Sequence, residues 1–103
     1  MNKYHAVKTE VDGFVFDSKR EARRYRELKL LESAGEIGNL ALQPKFDLSV
    51  NGEKICSYYA DFEYCDLRTG KTVVEDAKGV RTHEYRIKKK LVRAIYGVTI
   101  VEV

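Results

Sequence analysis

The chain has 103 residues and a mass of 11.9 kDa, which is enough for one domain and too little for two independently stable ones. Hydrophobic residues make up 44% of it and charged residues 34%, with a single proline. This composition excludes an intrinsically disordered or collagen-like chain. The net charge is +3, and no apolar signal-like run follows Met1, so we expect one cytoplasmic domain over residues 1–103.

Charge is unevenly distributed along the chain. Six basic residues between positions 19 and 29 outnumber two acidic ones. Between positions 78 and 93 there are seven basic residues and one acidic residue, Glu84. Between positions 46 and 76, seven acidic residues outnumber three basic ones. This pattern favours a polyanion held at a basic rim, with a cation or proton chemistry in the acidic centre. Charged helices that are simply solvated would give the same pattern.

The first predicted elements are a hairpin and a helix. Asp12-Gly13 interrupts the segment 8–16 and suits a tight hairpin turn. Ser18 followed by Glu21 has the capping-box spacing that starts a helix, and Gly35 supplies its end. The apolar residues at three-residue steps between them are Ala22, Tyr25, Leu28, Leu31 and Ala34.

Strands are predicted after Pro44, where apolar residues recur every second position. The segments 46–50 and 54–66 flank Asn51-Gly52, a strong hairpin signal. Alternation along segment 54–66 places Tyr58, Ala60, Phe62 and Tyr64 on one face and Tyr59, Asp61, Glu63 and Cys65 on the other. Cys56 and Cys65 would lie about 30 Å apart on this single strand and so form no disulfide. With so few cysteines and histidines, a zinc site is not expected.

A crossover is predicted for the last third of the chain. A strand over 72–78 places Val74, Asp76 and Lys78 on one face. Thr82 caps a second helix that Gly97 ends, and segment 98–103 forms a buried strand parallel to 72–78. The predicted buried stripe of this helix is Ile87, Leu91, Ala94 and Ile95. The order αβββαβ indicates an α/β fold with a mixed central sheet flanked by helices.

Two carboxylates are predicted to meet on this sheet. If Asp66 pairs with Lys71, Asp61 lies directly opposite Asp76, and such like-charge pairs cost roughly 0.2 to 1 kcal/mol. A hard cation such as Mg²⁺ would remove the repulsion, although a chance surface pair is the alternative. Glu21, beside the buried helix stripe, is the third candidate carboxylate, unless it only closes the capping box.

These residues resemble the PD-(D/E)XK nuclease superfamily, which includes restriction endonucleases and Holliday junction resolvases. The similar segments are Tyr59–Phe62, Glu75–Gly79, Phe16–Ala22 and Leu42–Pro44. The closest resemblance is to small phage and prophage endonucleases, and it covers nearly the whole chain. It implies a restriction-endonuclease-like αβββαβ core. Ala60 stands where the motif's name has proline, and Asp replaces the commoner Glu at position 76.

The resemblance also implies roles for the individual residues. Asp61, Asp76 and the Ala77 carbonyl would bind Mg²⁺, for which Mn²⁺ would substitute, and Glu21 would match the acidic residue of the first helix. Lys78 would orient or deprotonate the attacking water. The expected activity is metal-dependent hydrolysis of DNA phosphodiester bonds, with branched DNA as the expected substrate.

The remaining expectations concern the partners. The residues that we expect to contact DNA phosphates are Arg24, Arg81, Lys88 and Lys89. Resolving a four-way junction needs two active sites, so a homodimer is expected, in the host cytoplasm if the chain is phage-encoded. The alternatives are a catalytically inactive nucleic-acid-binding module of the same fold and an RNA-cleaving nuclease.

Overall fold

The computed structural model describes residues 7–77 and 81–103. Its centre is a four-stranded mixed sheet in the order β3-β6-β7-β8, accompanied by the hairpins β1-β2 and β4-β5. The elements are β1 (Thr9–Val11), β2 (Phe14–Phe16), α1 (Lys19–Ser33), β3 (Ile37–Leu42), β4 (Lys45–Val50), β5 (Glu53–Tyr59), β6 (Phe62–Asp66), β7 (Thr72–Asp76), α2 (His83–Tyr96) and β8 (Ile100–Glu102). The predicted α/β class with a mixed sheet and two helices is confirmed.

The predicted turns and helix ends are confirmed by the backbone. Asp12-Gly13 and Asn51-Gly52 connect β1 to β2 and β4 to β5, and all four residues have positive φ, as a type I′ turn requires. The hydroxyl of Ser18 accepts the Glu21 N–H at 3.1 Å at the start of α1. Thr82 caps α2 in the same way through the Tyr85 N–H, and a left-handed glycine follows the last turn.

The predicted long strand over 54–66 is wrong, because it is two strands. β5 ends at Tyr59 and pairs only with β4, whereas β6 begins at Phe62 and joins the main sheet. The break at Ala60-Asp61 changes the side of the sheet on which the aromatic residues pack: Tyr58 lies in the core under α2, and Phe62 in the core under α1. Cys56 and Cys65 therefore lie on different strands, and not on the single strand predicted, and both are free cysteines.

Strand β3 has no counterpart among the predicted elements. It pairs antiparallel with β6, with a register shift between Gly38 and Ala41, where Asn39 has a φ of 54°. Glycine and asparagine disfavour strands, and the irregularity interrupts the period-two pattern. The signal for this strand was therefore absent from local sequence, and its pairing with β6 supplies the stabilisation.

The buried stripe predicted for α2 is also wrong. The residues of α2 that are buried are Tyr85 and Val92, and Leu91 is half-buried, whereas Ile87 and Ile95 remain exposed. The helix is rotated about its axis relative to the prediction, because Tyr85 packs near the ring of Tyr58 with their centroids 6.2 Å apart. Aromatic burial between α2 and β5 outweighs burial of the two isoleucines.

The sheet separates two hydrophobic cores. Along β7, Val73 faces the core under α1 and Val74 faces the core under α2, as strand alternation requires. The core under α1 contains Phe16, Ala22, Tyr25, Leu28, Ile37, Phe62 and Tyr64. The core under α2 contains Phe46, Leu48, Tyr58, Ala60, Val74, Tyr85, Val92 and Ile100. β8 runs parallel to β7 as predicted, so β7 and β8 end at the same edge.

Candidate functional site

The predicted pairing of Asp61 with Asp76 is reproduced at one edge of the sheet. Phe62 lies opposite Glu75 in the β6-β7 ladder, so the two aspartates follow at its next position. Asp61 lies in the break before β6, where its N–H donates to the Glu75 carbonyl at 3.0 Å. Its Oδ2 accepts the Ala77 N–H at 2.7 Å. These two backbone contacts hold the Asp61 carboxylate beside the end of β7.

The two carboxyl groups interact with each other and differ in their exposure to water. Asp76 is fully buried and Asp61 is half-buried. Burial, the hydrogen bond to Asp76 and its charge together raise the pKa of Asp61 to about 8. Two adjacent carboxylates in a partly dry site are stable together only with a shared proton or a cation between them. Asp76 lies in the interior, so the two aspartates are not the chance surface pair that the sequence left as the alternative.

Tyr58 is a member of this site that sequence reasoning did not identify. Its hydroxyl donates to Oδ2 of Asp76, and burial and this carboxylate raise the pKa of Tyr58. The donor is supplied by β5, whose end lies beside β7 only because the chain bends at Ala60-Asp61. The alternation predicted for segment 54–66 placed Tyr58 on the face opposite Asp61. The sequence analysis therefore did not predict the hydrogen bond between Tyr58 and Asp76.

Glu21 approaches the site from α1. It lines a cavity of about 230 Å³ together with Asp61, and its negative charge adds to the raised pKa of Asp61. The other residues of this cavity are Phe14, Val15, Phe16, Leu42, Gln43 and Phe62. Asp61 thus interacts with Asp76 and, through its charge, with Glu21.

The predicted lysine and carbonyl ligand have different outcomes. Lys78 lies outside the described residues. Ala77 is buried directly after Asp76, and its backbone N–H donates to Asp61. The N–H of the residue whose carbonyl is predicted to hold a metal therefore contacts Asp61, one of the two predicted carboxylate ligands.

The donor set fits a hard cation with open coordination positions. Among residues 7–77 and 81–103, no three His, Cys, Asp or Glu side chains form a ready-made metal group. Mg²⁺ is usually bound by one or two carboxylates, with water and substrate phosphate completing the octahedron. The adjacent carboxylates of Asp61 and Asp76 satisfy that smaller requirement and are all-oxygen ligands.

Arg24, predicted to contact phosphate, is engaged in a buried ion pair. Its Nε lies 2.7 Å from Oε1 of Glu75 and its Nη2 lies 2.6 Å from Oε2, a bidentate arrangement. Glu75 also accepts the Tyr64 hydroxyl, and these interactions raise the pKa of Arg24. Because Glu75 and Asp76 face opposite sides of β7, this pair ties α1, which carries Glu21, to the strand that carries Asp76.

The other predicted phosphate contacts are also paired with carboxylates. Arg81 and Lys89 bind Glu102 at 2.7 and 3.4 Å, and Lys88 binds Glu84 at 2.9 Å on the same helix. Arg81 and the Tyr85 hydroxyl lower the pKa of Glu102 to about 2. Glu102 pairs directly with Asp76 in the β7-β8 register, so this cluster begins one strand away from the carboxylate pair.

Three cations that were not predicted as contacts are better placed for an anion. Arg86, Lys90 and Arg93 line a cavity of about 360 Å³ beside β8, together with the paired side chains of Arg81 and Lys89. Within the described part of the chain, no carboxylate lies within salt-bridge distance of these three. Their spacing of four and three residues places them on one side of α2, a signal that the sequence contained.

Comparison with known proteins adds one finding. A family model described as "Protein of unknown function (DUF1064)" matches residues 1–100. No curated protein and no solved structure matches the chain. In the described residues, no helix is long and apolar enough to span a membrane.

Proposed function

The chain belongs to the DUF1064 family, and we propose that it is a metal-dependent endonuclease that hydrolyses phosphodiester bonds in DNA. We propose further that its core is of the restriction-endonuclease type and that its site is that of a PD-(D/E)XK nuclease. The substrate proposed is branched or otherwise structured DNA. The resemblance of Tyr59–Phe62 and Glu75–Gly79 to that superfamily's motif supports this assignment.

The observation that carries the proposal is the contact between the carboxyl groups of Asp61 and Asp76. Burial of this pair has a large electrostatic cost, expressed in the raised pKa of Asp61. A sheet edge with a purely structural role would be more stable with an uncharged residue type at one of these two positions. Costly local arrangements of this kind are expected where a site has a chemical task.

The residues of this chain would have the following roles in hydrolysis. Bound Mg²⁺ would polarise the phosphate and lower the pKa of an attacking water. Asp61 and Asp76 would hold the ion with the Ala77 carbonyl, and the Tyr58 hydroxyl fixes the orientation of Asp76. In this proposal Lys78 orients the attacking water, and Glu21 lines the same cavity as Asp61.

Phosphates that flank the scissile bond would bind along α2. Arg86, Lys90 and Arg93 are the strongest candidates, because the described residues leave their charges without a carboxylate partner. Each replacement by Gln should weaken binding similarly for all sequences and reduce the slope of log Kd against log salt by about one. Lys45→Gln is the matched control, because Lys45 neighbours Asp47 on β4 and is not among the residues that line the cavity beside β8.

Cleavage of supercoiled plasmid and of linear, forked and four-way DNA in Mg²⁺ tests the activity. We expect product that depends on metal, disappears with EDTA and is lost in Asp76→Asn while DNA binding is retained. Asp47→Asn removes an equal charge from the exposed hairpin β4-β5 and should cleave like wild type. Wild-type protein that binds DNA yet cleaves none of these substrates in Mg²⁺ or Mn²⁺ would establish the inactive binding module instead.

The same panel decides two related questions. Matched RNA substrates distinguish a DNA enzyme from an RNA enzyme, with preference for DNA expected. Paired cuts in a four-way junction require two active sites, so we propose that the active form is a homodimer. Sedimentation of the DNA complex should then give two chains for each junction.

A further inference from the structure

Gln43 adopts a backbone conformation that its side chain and its neighbour both disfavour. Its φ is 52°, in the left-handed region that non-glycine residues rarely enter. Proline, here Pro44, also pushes the residue before it toward extended backbone. The conformation is held because the Gln43 N–H donates to the Asp61 carbonyl at 2.9 Å and the Ala60 N–H donates to the Pro44 carbonyl at 3.1 Å.

The amide of Gln43 is available to a ligand. It is exposed and lines the cavity that contains Glu21 and Asp61. In the part of the chain that the structure describes, no hydrogen bond engages this amide. An amide presents one acceptor and two donor hydrogens, and strained backbone that aims such a group into a site is characteristic of binding positions.

Much of the lining of this cavity is aromatic and apolar. Phe14, at the start of β2, is 48% exposed, and Val15 beside it is 59% exposed. The Phe14 ring is supported from behind by Tyr25, in an edge-to-face contact with the centroids 5.9 Å apart. Phe16 and Phe62 close the inner end and are buried. The cavity is therefore lined by aromatic rings and an amide, next to the carboxyl groups of Glu21 and Asp61.

The size of the cavity limits its occupant. At about 230 Å³ it is smaller than the roughly 300 Å³ at which pockets for drug-sized ligands begin. One planar ring system fits this volume, whereas a whole nucleotide with its phosphate is too large for it. A neutral heteroaromatic ring can stack on Phe14 and hydrogen-bond to Gln43 at its edge.

We propose that this cavity receives an unpaired nucleobase next to the cleaved phosphodiester, stacked on Phe14 and hydrogen-bonded by Gln43. The inference rests on the proposed nuclease function and names its substrate class: DNA with a base free of the duplex stack, as at a bulge or branch point. Base stacking on an aromatic side chain tolerates every base, because each has a π face. Gln43 would add a preference among bases.

The test compares two DNA duplexes that differ only in one unpaired nucleotide. The fluorescent base 2-aminopurine occupies that position, and the full chain binds in Ca²⁺ so that affinity is measured without cleavage. We expect tighter binding of the bulged duplex and a fluorescence change that reports a new environment of the base. Phe14→Leu retains apolar volume but removes the aromatic face, so it should reduce this preference about 5- to 150-fold, the equivalent of one lost stack.

Two further variants keep the test decisive. Gln43→Asn withdraws the amide by one methylene while tolerating positive φ, so it remains folded and should also lose preference. Val50→Ala removes an equally exposed apolar residue beside the turn of the other hairpin and should bind like wild type. Equal wild-type affinity for both duplexes, or a preference unchanged in both cavity variants, overturns the proposal.

The outcomes separate the cavity from the nuclease function. If the chain cleaves both duplexes in Mg²⁺ but binds them with equal affinity in Ca²⁺, the nuclease proposal is supported and the nucleobase cavity is rejected. A bulge preference that both cavity variants abolish, without cleavage in any metal, would support the cavity and reject the nuclease. Absence of DNA binding in Ca²⁺ would overturn both.

Discussion

The ion pair between Arg24 and Glu75 gives a direct measure of what holds α1 against the sheet. The perturbation is Arg24→Met, which keeps most of the side-chain volume and removes both bidentate hydrogen bonds. Glu75 would remain with 2% of its side chain exposed and with the Tyr64 hydroxyl as its remaining described donor. A buried carboxylate that has lost its cationic partner strongly destabilises the folded state.

The magnitude follows from the burial of the two partners. Removing one partner of a fully buried pair costs about 3 to 5 kcal/mol. Arg24 is 24% exposed, so water offsets part of the loss and we expect about 3 kcal/mol. For a chain of this size that corresponds to a fall in Tm of roughly 12 °C or more. Arg24→Met with Glu75→Gln should recover at least half, because Gln still accepts from Tyr64 without a buried charge.

Urea unfolding of the single and double variants measures these differences, with Arg23→Met as the control. Arg23 is the exposed neighbour on the same helix, and its replacement should change stability by less than 0.5 kcal/mol or so. A loss below about 1 kcal/mol in Arg24→Met would refute the argument that the pair is structural. If that variant instead weakened DNA binding and its salt dependence, Arg24 would be the phosphate contact that the sequence predicted.

Three other outcomes are expected. At pH 9 in EDTA, above the Asp61 pKa of about 8, both carboxylates are charged, so Asp76→Asn should be as stable as wild type or more stable by about 0.2 to 1 kcal/mol; a clear loss of stability in urea contradicts this. In a separate measurement with Mg²⁺ and without EDTA, the ion should raise the Tm of Asp76→Asn less than that of wild type. Because the fold raises the pKa of Asp61 from 3.8 to about 8, the folded chain retains a proton that the unfolded chain releases, so wild-type stability should fall between about pH 4 and pH 8. This fall should be smaller in Asp61→Asn, and equal slopes would disprove its origin. Gln43→Gly should gain about 0.5 kcal/mol, since relief of left-handed strain at 52° exceeds the added entropy of the unfolded chain, whereas Gln43→Ala should gain nothing.

Local chemistry determined much of this fold from the sequence alone. Asp12-Gly13 and Asn51-Gly52 make their hairpins because both residues of each pair enter positive φ. Ser18 and Thr82 start the helices because a hydroxyl can satisfy a free N–H within three residues. The pairing of Asp61 with Asp76 followed from the short loop after Asp66, since a strand register is set by its turn.

Interactions between distant segments decided the rest. The bend at Ala60-Asp61 has no local signal; it exists because β5 pairs with β4 while β6 pairs with β3 and β7. That bend delivers Tyr58 to Asp76 and orients Gln43 beside Asp61. Period and propensity describe only near neighbours, whereas burial and charge pairing depend on which surfaces meet. For that reason the sequence identified the acidic pair, and only the tertiary structure determined its partners.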